Sequence, residues 1–305
     1  MNILGINAYH GDVSAVLVRD GLLVAAVEEE RFRRIKHVAG FPNEAIRACL
    51  DMAGVDGRQI DHVAVSRNPR AHLWRKGVFA LRHRPRSGLV RDRAANYSKV
   101  RTLPATVATA LRLTAADRQP AFHWVEHHPA HLASALFVSP FDEAAVCAID
   151  GFGDFVSTSW ATGKGSTLDA GRRTFFPHSL GLMYLAITQY LGFTKYGDEF
   201  KVMGLAPYGM PEFVPELQRL VRLRPQGKFE LDLSYFTHWS GDARMTWEDG
   251  EPEIGRVFSD KLERELGPAV LAPNAKWRSK IIPSPPEPAT EPHAMTRTRR
   301  VRRRA

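Results

Sequence analysis

Hydrophobic and polar residues alternate along the first part of the chain with a period of two, which is typical of β-strands that have one face in a core. Short polar turns separate the alternating runs, so the pattern predicts a three-stranded meander at residues 2–7, 13–19 and 22–27. Apolar residues then recur every three or four positions across residues 43–53, which predicts an amphipathic helix that ends at Gly54. A further strand is predicted at residues 60–66. The order strand, helix, strand predicts a crossover unit of an α/β sheet.

The second part of the chain repeats this organisation. The pattern predicts a strand at 122–125, a helix at 130–138 and a second meander at 143–150, 158–162 and, more weakly, 174–176. The remaining predicted elements are a buried helix at 179–191, a helix at 212–223, a strand at 229–235 and a helix at 256–266. Each meander has a Gly/Asp turn after its first strand. Two such halves facing one cleft are the layout of the superfold shared by actin, sugar kinases and chaperone ATPases, so we predict an α/β protein of this class.

Residues 67–112 interrupt this organisation with a basic, helical insert that Pro69, Pro85 and Pro104 break. Residues 67–101 alone carry eleven Lys/Arg and one Asp, a net charge of +10. We interpret the insert as an exposed arm over a cleft rather than as a core element. Such an arm either attracts a phosphate-bearing ligand or simply keeps the protein soluble.

The apolar periodicity disappears from residue 267 onwards. Five prolines fall between residues 283 and 292, and an arginine-rich end follows them. This composition predicts a disordered tail at 267–305 and leaves residues 1–266 as the folded part. An abrupt loss of pattern with a rise in arginine and proline is also typical of out-of-frame translation.

Composition places the chain among ordinary soluble proteins. Hydrophobic residues make up 44% of the 305 positions and charged residues 25%, and no run of about 18 apolar residues predicts a membrane span. The first residues lack the features of a signal peptide, so we expect a cytoplasmic protein. The two cysteines, Cys49 and Cys147, lie in apolar surroundings, which predicts buried thiols in a reducing compartment.

The net charge of +9 and the pI near 9.8 raise the question of nucleic-acid binding. Residues 67–101 contribute +10 and residues 291–305 contribute +5, so the rest of the chain sums to −6. Neither basic block has the regularly spaced aromatic residues of a single-strand binder. The charge distribution therefore argues against nucleic acid as the main partner.

Three histidines and a carboxylate mark a candidate metal site. His127 and His131 are four residues apart and share one helix face, so their imidazoles can converge on one point. Asp150 follows residues 144–149, which we interpret as a buried strand, and can supply a third ligand. Two histidines and a carboxylate are typical of Lewis-acid sites for iron, manganese or zinc. Two alternatives stay open: the histidines are only capping and hydrogen-bonding groups, or His128 replaces one of its neighbours as ligand.

Two loops carry further candidate chemistry. The turn after the first strand contains Gly11, which can adopt a positive φ and turn backbone N–H groups towards a phosphate, although any tight hairpin looks similar. Residues 195–209 concentrate ionisable side chains among glycines, which predicts a rigid loop that places Lys201 against a bound phosphate. The alternative is an ordered loop whose charges pair with one another.

With these residues identified, the chain resembles bacterial O-carbamoyltransferases of the nodulation-protein and antibiotic-biosynthesis type. The resemblance rests on the segments ILGINAYHGDVSAVLV, VEEERFRRIKHVAGFP, EHHPAHLASALFVSPFDEAAVCAIDGFGD, SLGLMYLAITQYLGF and GDEFKVMGLAPYG. It implies an actin-like fold and a metal ion in the cleft, usually iron(II). His127, His131 and Asp150 fall on three of that family's metal ligands.

The resemblance also implies further site residues and a reaction. His10, Lys36 and Lys201 fall in cleft motifs that face the nucleotide or the carbamoyl group, which makes them the candidate catalytic residues. The candidate nucleotide-binding positions are Gly11, Asp12, Gly151, Gly153 and Gly204. The implied reaction forms carbamoyl adenylate from carbamoyl phosphate and ATP and passes the carbamoyl group to a hydroxyl of a small molecule, such as a nodulation factor or an antibiotic.

The sequence departs from that family in its extent. From the resemblance we expect that it stops before the second half of the actin-like region is complete, and that a fourth metal ligand and the YrdC-like domain that makes carbamoyl adenylate are missing. We therefore expect weak or no independent turnover from this chain. The alternatives are a non-catalytic remnant that binds nucleotide, a subunit whose partner chain carries the missing half, and a phosphotransfer ATPase on the same superfold.

Overall fold

The computed structural model of the protein describes residues 1–85, 99–241, 243, 245–246 and 249–269. Over this range the chain is a mixed α/β protein with two main sheets, as the sequence predicts. Residues 270–305 of the predicted tail and residues 86–98 of the basic arm lie outside the described residues. None of the described helices is both long and apolar enough to cross a membrane.

The first sheet contains the first meander and two crossover strands. Its strands are β1 (Asn2–Asn7), β2 (Ser14–Arg19), β3 (Leu22–Glu28), β4 (His62–Val65) and β5 (Ala121–Trp124). They lie in the order β3-β2-β1-β4-β5, with antiparallel pairing inside the meander and parallel pairing of β1 with β4 and of β4 with β5. The predicted meander and crossover unit are both present.

Two helices of the first half cover one face of this sheet. The helices of the first half are α1 (Glu30–Arg33), α2 (Asn43–Ala53), α3 (Leu73–His83) and α4 (Leu103–Ala110). Ile46 of α2 and Leu103 of α4 are fully buried in one core with Leu4 and Leu17 of the sheet. The interpretation of the whole insert as an exposed arm is therefore wrong for α4, because its apolar residues recur every four positions and pack on the sheet.

The second sheet is formed by the second meander. Its strands are β6 (Glu143–Gly153), β7 (Val156–Lys164) and β8 (Thr167–Phe175), all antiparallel, in the order β6-β7-β8. Helices α5 (His127–Leu136) and α6 (Leu180–Tyr190) pack against β6. In the first sheet β1 lies between β2 and the parallel strand β4. In the second sheet β6 pairs with β7 on one side and has no strand partner on the other side among the described residues.

The environment of β6 corrects one prediction. Val146 and Ala148 are buried, but Cys147 is exposed and Ile149 is 59% exposed. Over residues 143–149 the strand is therefore buried on one face only. Of the two thiols expected to be buried, only that of Cys49 is.

The last part of the described chain differs most from the prediction. Its elements are α7 (Glu199–Leu205), α8 (Val214–Gln218), β9 (Val221–Arg224), β10 (Lys228–Leu231), β11 (Met245–Thr246), β12 (Glu253–Ile254) and α9 (Asp260–Leu266). The predicted loop 195–209 thus contains a helix. The predicted helix 212–223 ends early because Gln226 and Gly227, with φ of 66° and 70°, form a tight turn that pairs β9 with β10. Helix α9 begins at 260 rather than 256 because the hydroxyl of Ser259 caps it.

Candidate metal centre

Helix α5 begins at a corner that the half-buried carboxylate of Asp154 holds in place. The Asp154 carboxylate accepts hydrogen bonds from the backbone N–H groups of His127, at 2.9 Å, and of Asn68, at 2.8 Å. Asp154 itself adopts a left-handed conformation with φ of 49° in the turn between β6 and β7. Burial raises the pKa of its carboxyl group, and the two backbone N–H groups and the Arg67 charge oppose that rise. The turn after β6 therefore fixes the position of the first turn of α5.

The imidazoles of His127 and His131 and the carboxylate of Asp150 converge on one point. His127 Nε2 lies 2.8 Å from Asp150 Oδ2 and 2.9 Å from His131 Nε2, and His131 Nε2 lies 3.9 Å from Asp150 Oδ2. Two imidazole nitrogens and a carboxylate oxygen are a donor set that suits divalent first-row metals. The three residues therefore fit a metal ion, and its binding stays a prediction.

Glycines and a serine hold Asp150 in place. The hydroxyl of Ser179 lies 3.0 Å from the Asp150 carbonyl oxygen and 2.5 Å from that of Gly151, and it accepts the N–H of Leu182 at the start of α6. A Cβ on Gly181 would lie 2.5 Å from the Gly151 nitrogen. The start of α6 can therefore lie directly against the backbone of Asp150 only because residue 181 is a glycine.

The environment of the cluster shifts several pKa values. Burial opposes ionisation of Asp150, but the hydrogen bond and charge of His127 outweigh it and hold the Asp150 pKa well below its ordinary value. Burial and the charge of His127 lower the pKa of His131. Burial, with the charges of Arg67 and His127, lowers the pKa of His10 to about 3. Uncharged imidazole and ionised carboxylate are the forms that bind metals.

His128 does not join the cluster. Its side chain is buried in the core, and Nδ1 lies 2.9 Å from the hydroxyl of Ser159 on β7. Burial lowers its pKa to about 4. The structure therefore does not support the alternative in which His128 replaces a neighbour as ligand.

A cavity of about 300 Å³ adjoins Asp150 and contains the predicted residue His10. Asp12 and Gly151 also line it, and the ring of His10 lies 5.6 Å from that of His127. The positive-φ residues of the first turn are Tyr9 and Asp12, so the expected positive φ at Gly11 is wrong. Gly11 is needed for another reason, because a Cβ there would lie 2.6 Å from the ring of Tyr196.

The two predicted lysines both lie beside the ring of Phe200, and neither lines this cavity. The ammonium groups of Lys36 and Lys201 lie 5.9 Å and 5.8 Å from the centre of the Phe200 ring. Lys201 also forms an ion pair of 2.5 Å with Asp198, as the alternative of mutually paired charges predicts. Gly204 lies exposed within α7, and a Cβ there would meet no atom within 4 Å, so nothing described requires a glycine at that position.

Sequence reasoning missed several residues that build this site. Asp154, Ser179 and Gly181 position the candidate ligands, and Tyr196 and His37 close the cavity. The His37 ring lies 2.7 Å from the Asp12 carboxylate and makes an edge contact with Tyr196. Ser179 could have been found as a helix N-cap directly before an apolar run. The contact between Tyr196 and Gly11 joins residues that are far apart in the sequence, so no local sequence pattern predicts it.

Two curated relatives share a large part of this sequence. The uncharacterized protein sll1178 of Synechocystis sp. is 41% identical over 248 residues, which are 79% of this chain and 40% of that protein. Nodulation protein NolNO of Sinorhizobium fredii is 37% identical over 213 residues, which are 67% of this chain and 29% of that protein. The chain thus spans less than half the length of either relative.

Solved structures resemble the chain only weakly. YeaZ from Pseudomonas aeruginosa gives a TM-score of 0.29 at 16% identity and covers 58% of this chain and 69% of its own. Ethanolamine utilization protein EutJ from Carboxydothermus hydrogenoformans gives 0.36 at 12% identity and covers 72% of this chain and 65% of its own. Likeness at this level does not define a fold.

A family model described as Carbamoyltransferase N-terminus matches residues 2–250. The match includes His127, His131, Asp150 and the segments that position them. Because it extends over most of the sequence, the chain belongs to the carbamoyltransferase N-terminus family.

Proposed function

We propose that this chain is the metal-holding part of an O-carbamoyltransferase with an actin-like fold. In this proposal the carbamoyl group of carbamoyl adenylate is transferred to a hydroxyl of a small-molecule acceptor, such as a nodulation factor or another natural product. The observation that carries the proposal is the convergence of His127, His131 and Asp150 beside a cavity that contains His10. Family membership supports carbamoyl transfer, and two sheets that each begin with an antiparallel meander support the superfold.

The candidate ligands suit a divalent cation, for which iron(II) is our first choice. When bound, such a cation supplies Lewis-acid polarisation of a carbonyl oxygen. His127, His131 and Asp150 would hold it at the edge of the cavity. Asp154 and Ser179 contribute by fixing the backbone from which these ligands project.

The residues that line the cavity would bind and orient the reactants. His10 lines the cavity beside the candidate ligands and is our candidate for taking the proton of the acceptor hydroxyl. The turn at Gly11 and Asp12 and the backbone at Gly151 offer groups for the nucleotide. We assign to Lys36 and Lys201 the role of neutralising the phosphate charge. Both ammonium groups lie beside the ring of Phe200, so the two side chains would have to extend beyond this ring to contact the phosphate.

A second candidate function is that of a subunit whose partner supplies the rest of the cleft. The observation that favours it is the edge of β6, which is long and lacks a partner strand among the described residues. An unpaired edge is a template for a strand from another segment or chain. Formation of carbamoyl adenylate from carbamoyl phosphate and ATP would then belong to that other part.

The proposal is tested by following AMP release from the purified chain. The chain is supplied with iron(II), carbamoyl phosphate, ATP and a hydroxyl acceptor, alone and together with a polypeptide that matches the remainder of the longer relatives. We expect little AMP release alone and AMP release that requires carbamoyl phosphate once the second polypeptide is present. ADP release without carbamoyl phosphate would instead indicate a phosphotransfer ATPase. Nucleotide binding with no turnover in either mixture would indicate a non-catalytic remnant.

A further inference from the structure

A second cavity, of about 620 Å³, lies between α3, the end of β8 and the hairpin of β9 and β10. None of the residues that line it lines the cavity beside Asp150. Its volume is in the range of sites that hold small organic molecules. The chemistry of its wall differs from that of the candidate metal centre.

Aromatic rings form much of this wall. The rings that line the cavity belong to Trp74, Phe79, Phe155, Phe175, Phe176 and Phe229. The Phe79 ring makes edge contacts with those of Phe155 and Phe176, at 5.7 Å and 5.2 Å between ring centres, so these rings are fixed by mutual packing. Trp74 is 65% exposed at the rim. The cavity therefore presents flat apolar surfaces to a ligand.

Positive charge converges on the same cavity. The cationic side chains that line it are Arg75, Arg82, Arg173, Arg224 and Lys228, against the single carboxylate of Glu230. Glu230 pairs with Arg224 at 2.6 Å, and Glu126 outside the cavity pairs with Arg173 at 2.7 Å. Within the described part of the chain, no carboxylate lies within ion-pair distance of the other three cations.

One of these cations is held in place by the aromatic wall. The guanidinium carbon of Arg75 lies 4.0 Å from the centre of the Phe175 ring and 4.6 Å from that of Trp74. Stacked guanidinium groups lose little entropy when they bind an anion. His178 adds a neutral donor, because its Nδ1 accepts the N–H of Leu231 and leaves the proton on Nε2. Burial lowers the pKa of His178, which keeps it uncharged at neutral pH.

A charged stretch is usually just a solvated surface. Here the cations line a concave, ring-walled space, and three of them have no carboxylate partner in the described chain. We propose that this cavity binds an organic anion that carries an aromatic ring. The anionic group, a phosphate or a carboxylate, lies against Arg75 and Arg82, and the ring packs against the aromatic wall.

The test uses the full chain and isothermal titration calorimetry. The probes are 1-naphthyl phosphate and 1-naphthoate, which distinguish the two anionic groups, with inorganic phosphate and the neutral 1-naphthylmethanol as comparators. The pocket variant is Arg75→Gln/Arg82→Gln. The matched control is Arg47→Gln/Arg118→Gln, which removes the same charge from exposed arginines of the first half. Trp74→Ala tests the ring contact at an exposed position, where folding is not at risk.

We expect one or both naphthyl anions to bind at least about tenfold more tightly than either comparator. The pocket variant should weaken that binding by about tenfold or more, and the control by less than about twofold. Trp74→Ala should weaken binding of the naphthyl anion more than binding of inorganic phosphate. The proposal is overturned if neither anion binds at millimolar concentration, if the neutral probe binds as well as the anions, or if the control loses as much affinity as the pocket variant. We expect the naphthyl anions to bind equally well in EDTA, which would separate this cavity from the candidate metal centre. Loss of their binding in EDTA would overturn the proposal.

Discussion

The imidazole ring of His127 fills the space in which a side chain at position 153 would lie. A Cβ on Gly153 would be 2.1 Å from the Cγ and Cδ2 atoms of that ring, far inside van der Waals contact. The end of β6 and the start of α5 therefore approach closely only because residue 153 is a glycine. This approach brings the Asp150 carboxylate within 2.8 Å of His127. The geometry of the proposed metal centre thus depends on a residue that donates no ligand.

Gly153→Ala should therefore weaken metal binding. The added methyl group forces the His127 ring away from Asp150, and we expect the affinity for cobalt(II), a spectroscopic substitute for iron(II), to fall by about tenfold or more, with a loss of about 1–3 kcal/mol of stability. Visible absorbance during a cobalt titration measures the affinity. Gly151→Ala is the matched control, because a Cβ at Gly151 meets no atom within 4 Å. Equal cobalt affinity in Gly153→Ala and the wild type would contradict this account.

Ser179→Ala should affect both stability and the metal centre. The hydroxyl caps α6 and contacts the carbonyl oxygens of Asp150 and Gly151, so its loss should cost about 1 kcal/mol and loosen the Asp150 backbone. Ser259→Ala removes a comparable cap from α9 and serves as the control. We expect both variants to be less stable in urea unfolding but only Ser179→Ala to lose cobalt affinity. A parallel loss of affinity in Ser259→Ala would show that the effect is only global destabilisation.

His128 and His131 should respond to substitution in opposite ways. The side chain of His131 is 50% exposed beside Asp150, so His131→Gln should keep the thermal stability and lose most of the bound metal. His128 is buried against Ser159, so His128→Gln should lower the melting temperature and keep one metal ion per chain. Metal analysis after gel filtration, with thermal unfolding of the same samples, measures both quantities. If His128→Gln lost the metal while remaining folded, our choice of ligands would be wrong.

The parts of the structure that follow from local rules could be predicted from the sequence. The alternation at residues 2–27 and the amphipathic spacing at 43–53 predicted the first meander and α2, because one buried face is enough to impose the period. The spacing of His127 and His131 also placed their rings on one side of α5, since residues four apart on a helix are neighbours.

The parts that depend on distant contacts could not be predicted in this way. The apolar run of β6 indicated a buried strand, but Cys147 and Ile149 are exposed because burial depends on what covers a face, which no local pattern encodes. The need for a glycine at position 11 comes from the ring of Tyr196, which is far away in the sequence. Residues 195–209 were rich in glycine and charge, yet residues 199–205 form α7, although none of its residues is buried.

Buried histidines should make the protein less stable in mild acid, and His238 allows this to be measured away from the metal centre. Its side chain is 1% exposed and lies 2.9 Å from the carbonyl oxygen of Pro177, and burial lowers its pKa from 6.5 to about 4. Because the unfolded chain takes up the proton first as the pH falls below 6.5, this residue should remove about 2 kcal/mol of stability between pH 7 and pH 5. The loss should level off below the folded-state pKa of about 4, where both states are protonated.

Urea unfolding at pH 7 and pH 5 measures this change in the free energy of unfolding. The change should be smaller for His238→Gln than for the wild type. The control His123→Gln, at an exposed position on β5, should show the same change as the wild type. An unchanged pH dependence in His238→Gln would mean that this ring does not stay neutral in the folded protein.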